Sequence, residues 1–496
     1  MGMIWQVVMR RKDAFVVGLL FFFTGIAIVL YLNQYPNQPR ERDYSYAGSF
    51  QTFCIWIGLG VLFLTDQLRK LLKNKTVWVA GAIALLAPAL MAVQNWDDHT
   101  RQGRWVDIEF AKNLLNSCEK NAILFTAGDN DTFPLWYIQE VEGYRTDVRI
   151  VNLELLISDW YIEQMTEPKN ESDALPITMN KADYAGEKGL VIYNFASRNI
   201  VLPTHKDELL ASGVISENEA AITGDEMIWE FKARGSYILR KDSVIINILR
   251  NVAKDGWKRP VYFANTMPPS SFANLQDYFR MEGMAFRVLP VKRTEETIND
   301  IYFGRIGQDI MEKKLTQDFL YSGMDDPAVN FDEHIREVII GNYRNCFFRL
   351  CNSYAEQILE MEADSIGYNK AEVDQKLEKI AALVAFSEEK MPHRVVPRSL
   401  TLLITQGQML EQLGLEELSL DEFIRLKPLA IADLNFRAAN GFGVDQTTMS
   451  LRAAAIAIQI FMRRGMEKDA GDLAAAIQQA TGNDLGFQLM EKMKQQ

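Results

Sequence analysis

The sequence predicts a membrane-anchored protein of three parts: a transmembrane α-helical segment, a soluble α/β domain, and a C-terminal α-helical region of tetratricopeptide-like character. Three observations carry this reading. Three long charge-free apolar runs fall within the first hundred residues. Short apolar strand-like runs then alternate with amphipathic stretches up to about residue 330. Beyond that point, apolar residues recur at three- and four-residue spacing almost to the end. The boundaries expected are 1–95, 96–330 and 331–496.

The first run, residues 14–32 (AFVVGLLFFFTGIAIVLYL), is roughly 28 Å long as a helix, enough to cross the hydrocarbon core. The second, 50–65 (FQTFCIWIGLGVLFLT), is shorter and flanked by small and aromatic residues suited to the interface. The third, 77–93 (VWVAGAIALLAPALMAV), contains Pro88, which a membrane helix tolerates when neighbours satisfy the freed carbonyl. A signal peptide followed by buried helices is disfavoured, because no small-residue cleavage site follows the first run. Basic residues set the orientation. Arg10, Arg11 and Lys12 precede the first run, and Arg69, Lys70, Lys73 and Lys75 lie between the second and third. The other side has Arg40, Arg42, Arg101 and Arg104. The N-terminus is therefore expected in the cytoplasm and everything after Trp96 outside, in the periplasm of a bacterium with an inner membrane.

Charge divides the chain in the same place. Residues 1–95 hold nine Lys/Arg and four Asp/Glu, whereas the whole chain is −12, so the remainder carries −17. Such an excess disfavours nucleic acid as a partner, since phosphate binding needs clustered positive charge. It suits a solvated external domain. The four cysteines (Cys54, Cys118, Cys346, Cys351) form no disulfide framework. The four histidines (His99, His205, His334, His393) show no metal-ligand spacing, so neither a metal nor a cofactor is expected. The serines lack a G-x-S-x-G context, and no Gly-rich phosphate loop occurs.

Two loops are candidate sites. Residues 33–48, NQYPNQPRERDYSYAG, have prolines that stop the first span, then Arg40, Glu41, Arg42, Asp43, Tyr44 and Tyr46. An interfacial loop with self-paired charges explains this composition. The sharper alternative is a site in which Arg40 and Arg42 grip a lipid-linked phosphate. The second loop, GDNDTFP at 128–134, follows the strand-like run 122–126 and precedes a helical stretch and a second strand at 147–153. Strand, loop, helix, strand is a βαβ unit with parallel pairing, and ligands of such sheets bind beyond the carboxyl ends of the strands. Asp129, Asn130, Asp131 and Thr132 are therefore candidate ligand-binding residues. As an alternative, Asp131 or Thr132 caps a helix that Pro134 begins. Further strands are expected at 259–265 and 285–291.

Four segments carry a resemblance: LNQYPNQPRERDYSYAGSF after a membrane helix, NAILFTAGDNDTFPLWYIQEVEGYRTDVRIVNLELLISDWYIEQM, KRPVYFANT, and LQDYFRMEGMAFRVLPV. Each is similar to stretches in a family of large bacterial membrane proteins related to the protein O-mannosyltransferase-like members of the GT-C glycosyltransferase class. The similarity spans about residues 14–295, and the helical tail fits the family's C-terminal region. The resemblance implies a membrane transferase that moves mannose from a polyprenyl-phosphate donor to Ser or Thr of exported protein on the outer face. It lends weight to Arg40, Arg42, Asp43 and Tyr44 as donor contacts. The chain departs from the class in one respect. Its enzymes have many more membrane helices, with catalytic carboxylates in the first external loop. Glu41 and Asp43 match a late loop instead. The expectation is thus a C-terminal portion that assists transfer, its catalytic residues unknown and its partners including membrane lipids, an exported protein acceptor and a separate N-terminal membrane half. The alternative is a non-enzymatic membrane-anchored scaffold that binds through the helical tail.

Overall fold

The computed structural model describes residues 1–34, 42–186, 190–293, 303–363, 369–445 and 448–495. They divide into two units, Met1–Gln102 and Gly103–Gln496.

In the first unit three helices are long and apolar enough to cross a membrane: Arg11–Leu32, Asp43–Arg69 and Lys73–His99. The expected runs lie inside them, but the second helix is much longer than its charge-free core. It continues through Asp66, which accepts a hydrogen bond from Trp5, and through Arg69, whose long stem carries its charge toward the interface. The third is interrupted between Ala84 and Leu86, where Pro88 has no N–H for the Ala84 carbonyl. A helix that the charge-free runs do not reveal, Gly2–Met9, precedes the first span and packs on the second. Its apolar run is too short to read as a span. Gln6 accepts a hydrogen bond from Trp56 Nε1 at 2.8 Å, and Trp5 Nε1 donates to Asp66 at 2.8 Å. A Cβ on Gly2 would sit 1.9 Å from the Trp56 carbonyl oxygen, so this approach requires glycine.

The second unit is built on a mixed six-stranded sheet. Its strands, with those of two small hairpin-like pairs, are β1 (Ile123–Thr126), β2 (Arg149–Asn152), β3 (Val191–Tyr193), β4 (Arg198–Pro203), β5 (Glu226–Phe231), β6 (Tyr237–Leu239), β7 (Val261–Ala264), β8 (Phe279–Met281), β9 (Ala285–Val288) and β10 (Arg305–Ile306). The sheet order is β10-β8-β9-β7-β1-β2, and the separate pairs are β3-β6 and β4-β5. β1 runs parallel to both β2 and β7, with Ile123 opposite Arg149 and Val261, as the βαβ pattern demands. β9 then turns antiparallel to β7 and β8. Strands buried on both faces read as continuous apolar runs, which is why β1 and β7 are visible in the sequence; β2 has only Ile150 and Val151 between polar ends. Phe125, Phe263, Phe279 and Phe286 form a ladder of ring contacts at 4.8–5.4 Å through the sheet's centre.

At the far side of that ladder Glu282 is fully buried. It accepts from Tyr262 Oη at 2.7 Å and from Arg280 at 2.6 Å, and Arg287 lies 3.8 Å away. Burial alone would raise its pKa, but the two guanidinium groups reverse this and hold it below the usual glutamate value.

From Gly341 onward the unit is helical: Gly341–Ala363, Lys370–Lys390, Leu400–Gln412, Glu416–Asn440, Met449–Arg463, Glu467–Thr481 and Leu485–Lys494. From Leu400 each helix packs on the next and the next but one. Alanines make this close approach possible. Ala453, Ala454, Ala457, Ala470 and Ala474 are fully buried, and Gly486 abuts Ala474.

Candidate functional site at the carboxyl edge of the parallel strands

β1, β2 and β7 all point their carboxyl ends the same way, and each is followed by polar residues. After β1 the chain enters the Asp129–Glu142 helix directly, with Gly128 at its N-cap. Pro134 does not begin this helix; it sits inside it. Asp131 closes the chain's entry into the helix: its carboxylate accepts from the N-cap Gly128 N at 2.9 Å and from Ala127 N at 3.3 Å. Pro134 has no N–H, so the Asn130 carbonyl is left out of the helical ladder.

The four-residue motif therefore separates into two pairs. Asp131 and Thr132 are buried and knit the three strand ends together. Thr132 Oγ1 lies 2.7 Å from Thr126 Oγ1 at the end of β1 and accepts from Asn152 Nδ2 at the end of β2 at 2.9 Å. Thr266, just past β7, donates to Asp131 Oδ2 at 3.1 Å. Asn152 Oδ1 in turn accepts the backbone N–H groups of Glu154 and Leu155 at 2.8 and 3.0 Å, which turns the chain after β2. Asp129 and Asn130 are exposed, and among the described residues their side chains make no hydrogen bond. Exposed Phe133 and Tyr137 follow on the same helix. At this edge Asp129 and Asn130 are the exposed pair of the motif. Asp131 and Thr132 position them.

Next to this cluster, Asn265 and Asn342 exchange amide hydrogen bonds at 2.8 and 2.9 Å, and Lys241 pairs with Glu154 at 2.8 Å. Sequence reasoning missed Asn152 and Thr266. Each is a polar residue at the end of an apolar strand, and that was the available signal.

In the membrane unit, Arg40 lies outside the described residues. Arg42 precedes a single 3₁₀ turn, Asp43–Tyr46, and Arg42, Asp43 and Tyr44 are exposed. Among the described residues they form no ion pair. Cys118, Cys346 and Cys351 are free and buried, and burial pushes each thiol up to about 12. Cys54 is free as well.

Comparison with known proteins bears on this region. The family model described as TMEM260-associated domain 2 matches residues 107–198 and 191–309, the stretch that holds the sheet and its carboxyl edge. The chain is also similar to the protein O-mannosyl-transferase TMEM260 of Mus musculus, at 24% identity over 177 residues, covering 33% of this chain. The chain spans a quarter of the length of that curated relative, 25%. No solved structure matches. Together these likenesses support an O-mannosyltransferase-like relationship for a chain with three apolar helices long enough to span a membrane.

Proposed function

We propose that this chain is the accessory portion of a bacterial membrane glycosyltransferase that transfers mannose from a polyprenyl-phosphate donor to Ser or Thr of exported protein. In this reading the N-terminus is cytoplasmic, the three helices sit in the inner membrane, and the Gly103–Gln496 unit is periplasmic. The catalytic carboxylates come from further membrane helices, whether on a separate chain or not. Arg40 and Arg42, with Asp43 and Tyr44, meet the lipid phosphate, and Asp129 with Asn130 faces the acceptor. The observation that carries the reading is the family match over the sheet and its carboxyl edge, in a chain with three helices long and apolar enough to cross a membrane.

Co-expression with a membrane half of the same class, followed by an assay of mannosyl transfer to a Ser/Thr peptide, tests it. Arg42→Ala is expected to raise the donor KM about tenfold, the loss of one charge-assisted phosphate contact. Asp129→Ala is expected to raise the peptide KM and leave the donor KM unchanged. No transfer by the assembled protein, or full transfer by both variants, would sink the proposal.

A second reading draws support from the packing of successive helices from Leu400 to Lys494, and in that reading they form a tetratricopeptide-like surface that holds a partner. There the chain is a membrane-anchored scaffold. A pull-down in which removal of residues 400–496 loses no partner would count against it.

A further inference from the structure

The edge strand β2 is flanked by the Asp129–Glu142 helix and the Asp159–Met165 helix, and an open groove of about 290 Å³ lies among them. Its lining is largely apolar, with Trp136, Leu155, Trp160, Tyr161 and Met165 prominent. Trp160 is 56% exposed, a wide indole face offered to solvent. Set into this lining is a cation, Arg149, only 3% exposed. Its Nη2 donates to the carbonyls of Gln164 and Glu167, at 2.9 and 3.0 Å, where the Asp159–Met165 helix ends. Its Nε and Nη1 are buried and have no hydrogen-bond partner. Among the described residues no carboxylate pairs with it. Arg259 nearby adds positive potential instead of relieving it. A buried guanidinium with no counter-ion and unused donors is a costly arrangement unless an anion visits. Lys169 and Glu140, both on the groove's lining, form an exposed 2.7 Å ion pair, a contact weak enough to open.

We propose that this groove binds a ligand that carries an oxyanion on a flat apolar body. The oxyanion, a carboxylate or a phosphate, accepts from Arg149, and the body lies against Trp160 and Trp136. Stacking on indole and a charge-assisted hydrogen bond are the two contacts that the groove can make at once. The site is separate from Asp129 and Asn130 at the carboxyl edge and does not rest on the transferase reading.

Calorimetric titration of the full chain in detergent micelles with phenyl phosphate, benzoate and neutral benzyl alcohol tests the proposal. At least one anion is expected to bind saturably, about tenfold or more tighter than benzyl alcohol; which of the two binds tells phosphate from carboxylate. Arg149→Met is expected to weaken that binding about tenfold, and Trp160→Ala to weaken it about threefold or more. Should Arg149→Met not fold, as judged by circular dichroism, Trp160→Ala decides, since its side chain is largely in solvent. The proposal is overturned if neither anion binds saturably below about 10 mM. It is equally overturned if folded Arg149→Met binds as the wild type does, or if Trp160→Ala leaves the affinity unchanged.

Discussion

The two units of this chain spend their apolar residues in opposite ways. In the membrane unit, the most apolar window of each span is only 6, 17 and 11% buried within the protein, so almost all of that surface is left for lipid or for other helices. In the second unit the aromatic ladder of Phe125, Phe263 and Phe279 is fully buried, and even charged groups such as Glu282 are enclosed. The difference teaches that one unit is held by its own core. The other is held by its surroundings plus a few close contacts such as Gly2 on Trp56. Substitutions should therefore act very unequally in the two.

The largest effect is expected at Glu282. Glu282→Ala leaves the buried Arg287 without a carboxylate and Arg280 with only Glu219, which it shares with Arg305, a loss of about 3–5 kcal/mol in the stability of the second unit. Chemical unfolding followed by tryptophan fluorescence checks this, and a loss below about 1 kcal/mol would break the contrast. Phe263→Ala should cost about 3–5 kcal/mol as well, through the cavity left in the ladder. Leu30→Ala, at a side chain 72% exposed, is its membrane counterpart and should leave unfolding in detergent unchanged.

Gly2→Ala should cost about 1–3 kcal/mol of the packing between the Gly2–Met9 helix and the second span. It reads out as faster proteolysis of the N-terminal segment in micelles, with the second unit's unfolding midpoint unmoved. A shift of that midpoint would instead show the two units to be energetically coupled.

The smallest change expected, apart from the unchanged unfolding at Leu30, is a pH dependence at His393, whose Nδ1 accepts the Arg398 backbone N–H and so must be unprotonated. Burial, then the charges of Arg398 and Arg344, lower its pKa from 6.5 to about 4. The unfolded chain thus takes up a proton that the folded chain refuses. The stability from neutral His393 is complete above pH 6.5 and is lost as pH falls toward 4. With solvent screening allowed for, it amounts to about 1 kcal/mol. His393→Gln should flatten that part of the stability-against-pH curve, and an unchanged slope would rule the assignment out.

Much of this architecture is legible in the sequence, for physical reasons that also mark where legibility stops. The spans are visible because hydrocarbon excludes charge, yet the second span outruns its charge-free core through Asp66 and Arg69, where the helix persists after the bilayer requirement lapses. β1 and β7 show as apolar runs because both faces are covered, and β2 shows through Ile150 and Val151 between two polar residues. The β4-β5 pair alternates buried and exposed residues, but exposed Val201 and Ile228 blur the two-residue period that would mark it. In the candidate site, Asp129 to Thr132 stand out as a motif. Which of them is free does not, because Thr132 meets Asn152 and Asp131 meets Thr266 only after the sheet has formed. Arg149 reads as one residue of a strand, and nothing local announces that its charge goes unanswered.

The most direct test of the central reading is mannose incorporation in membrane vesicles from cells that carry or lack this chain. Supplied with labelled polyprenyl-phosphate mannose, vesicles with the chain should label exported protein at Ser or Thr. Vesicles without it should fall to background and recover when the wild-type chain is restored, but recover only partly with Arg42→Ala. Equal labelling with and without the chain would contradict the account.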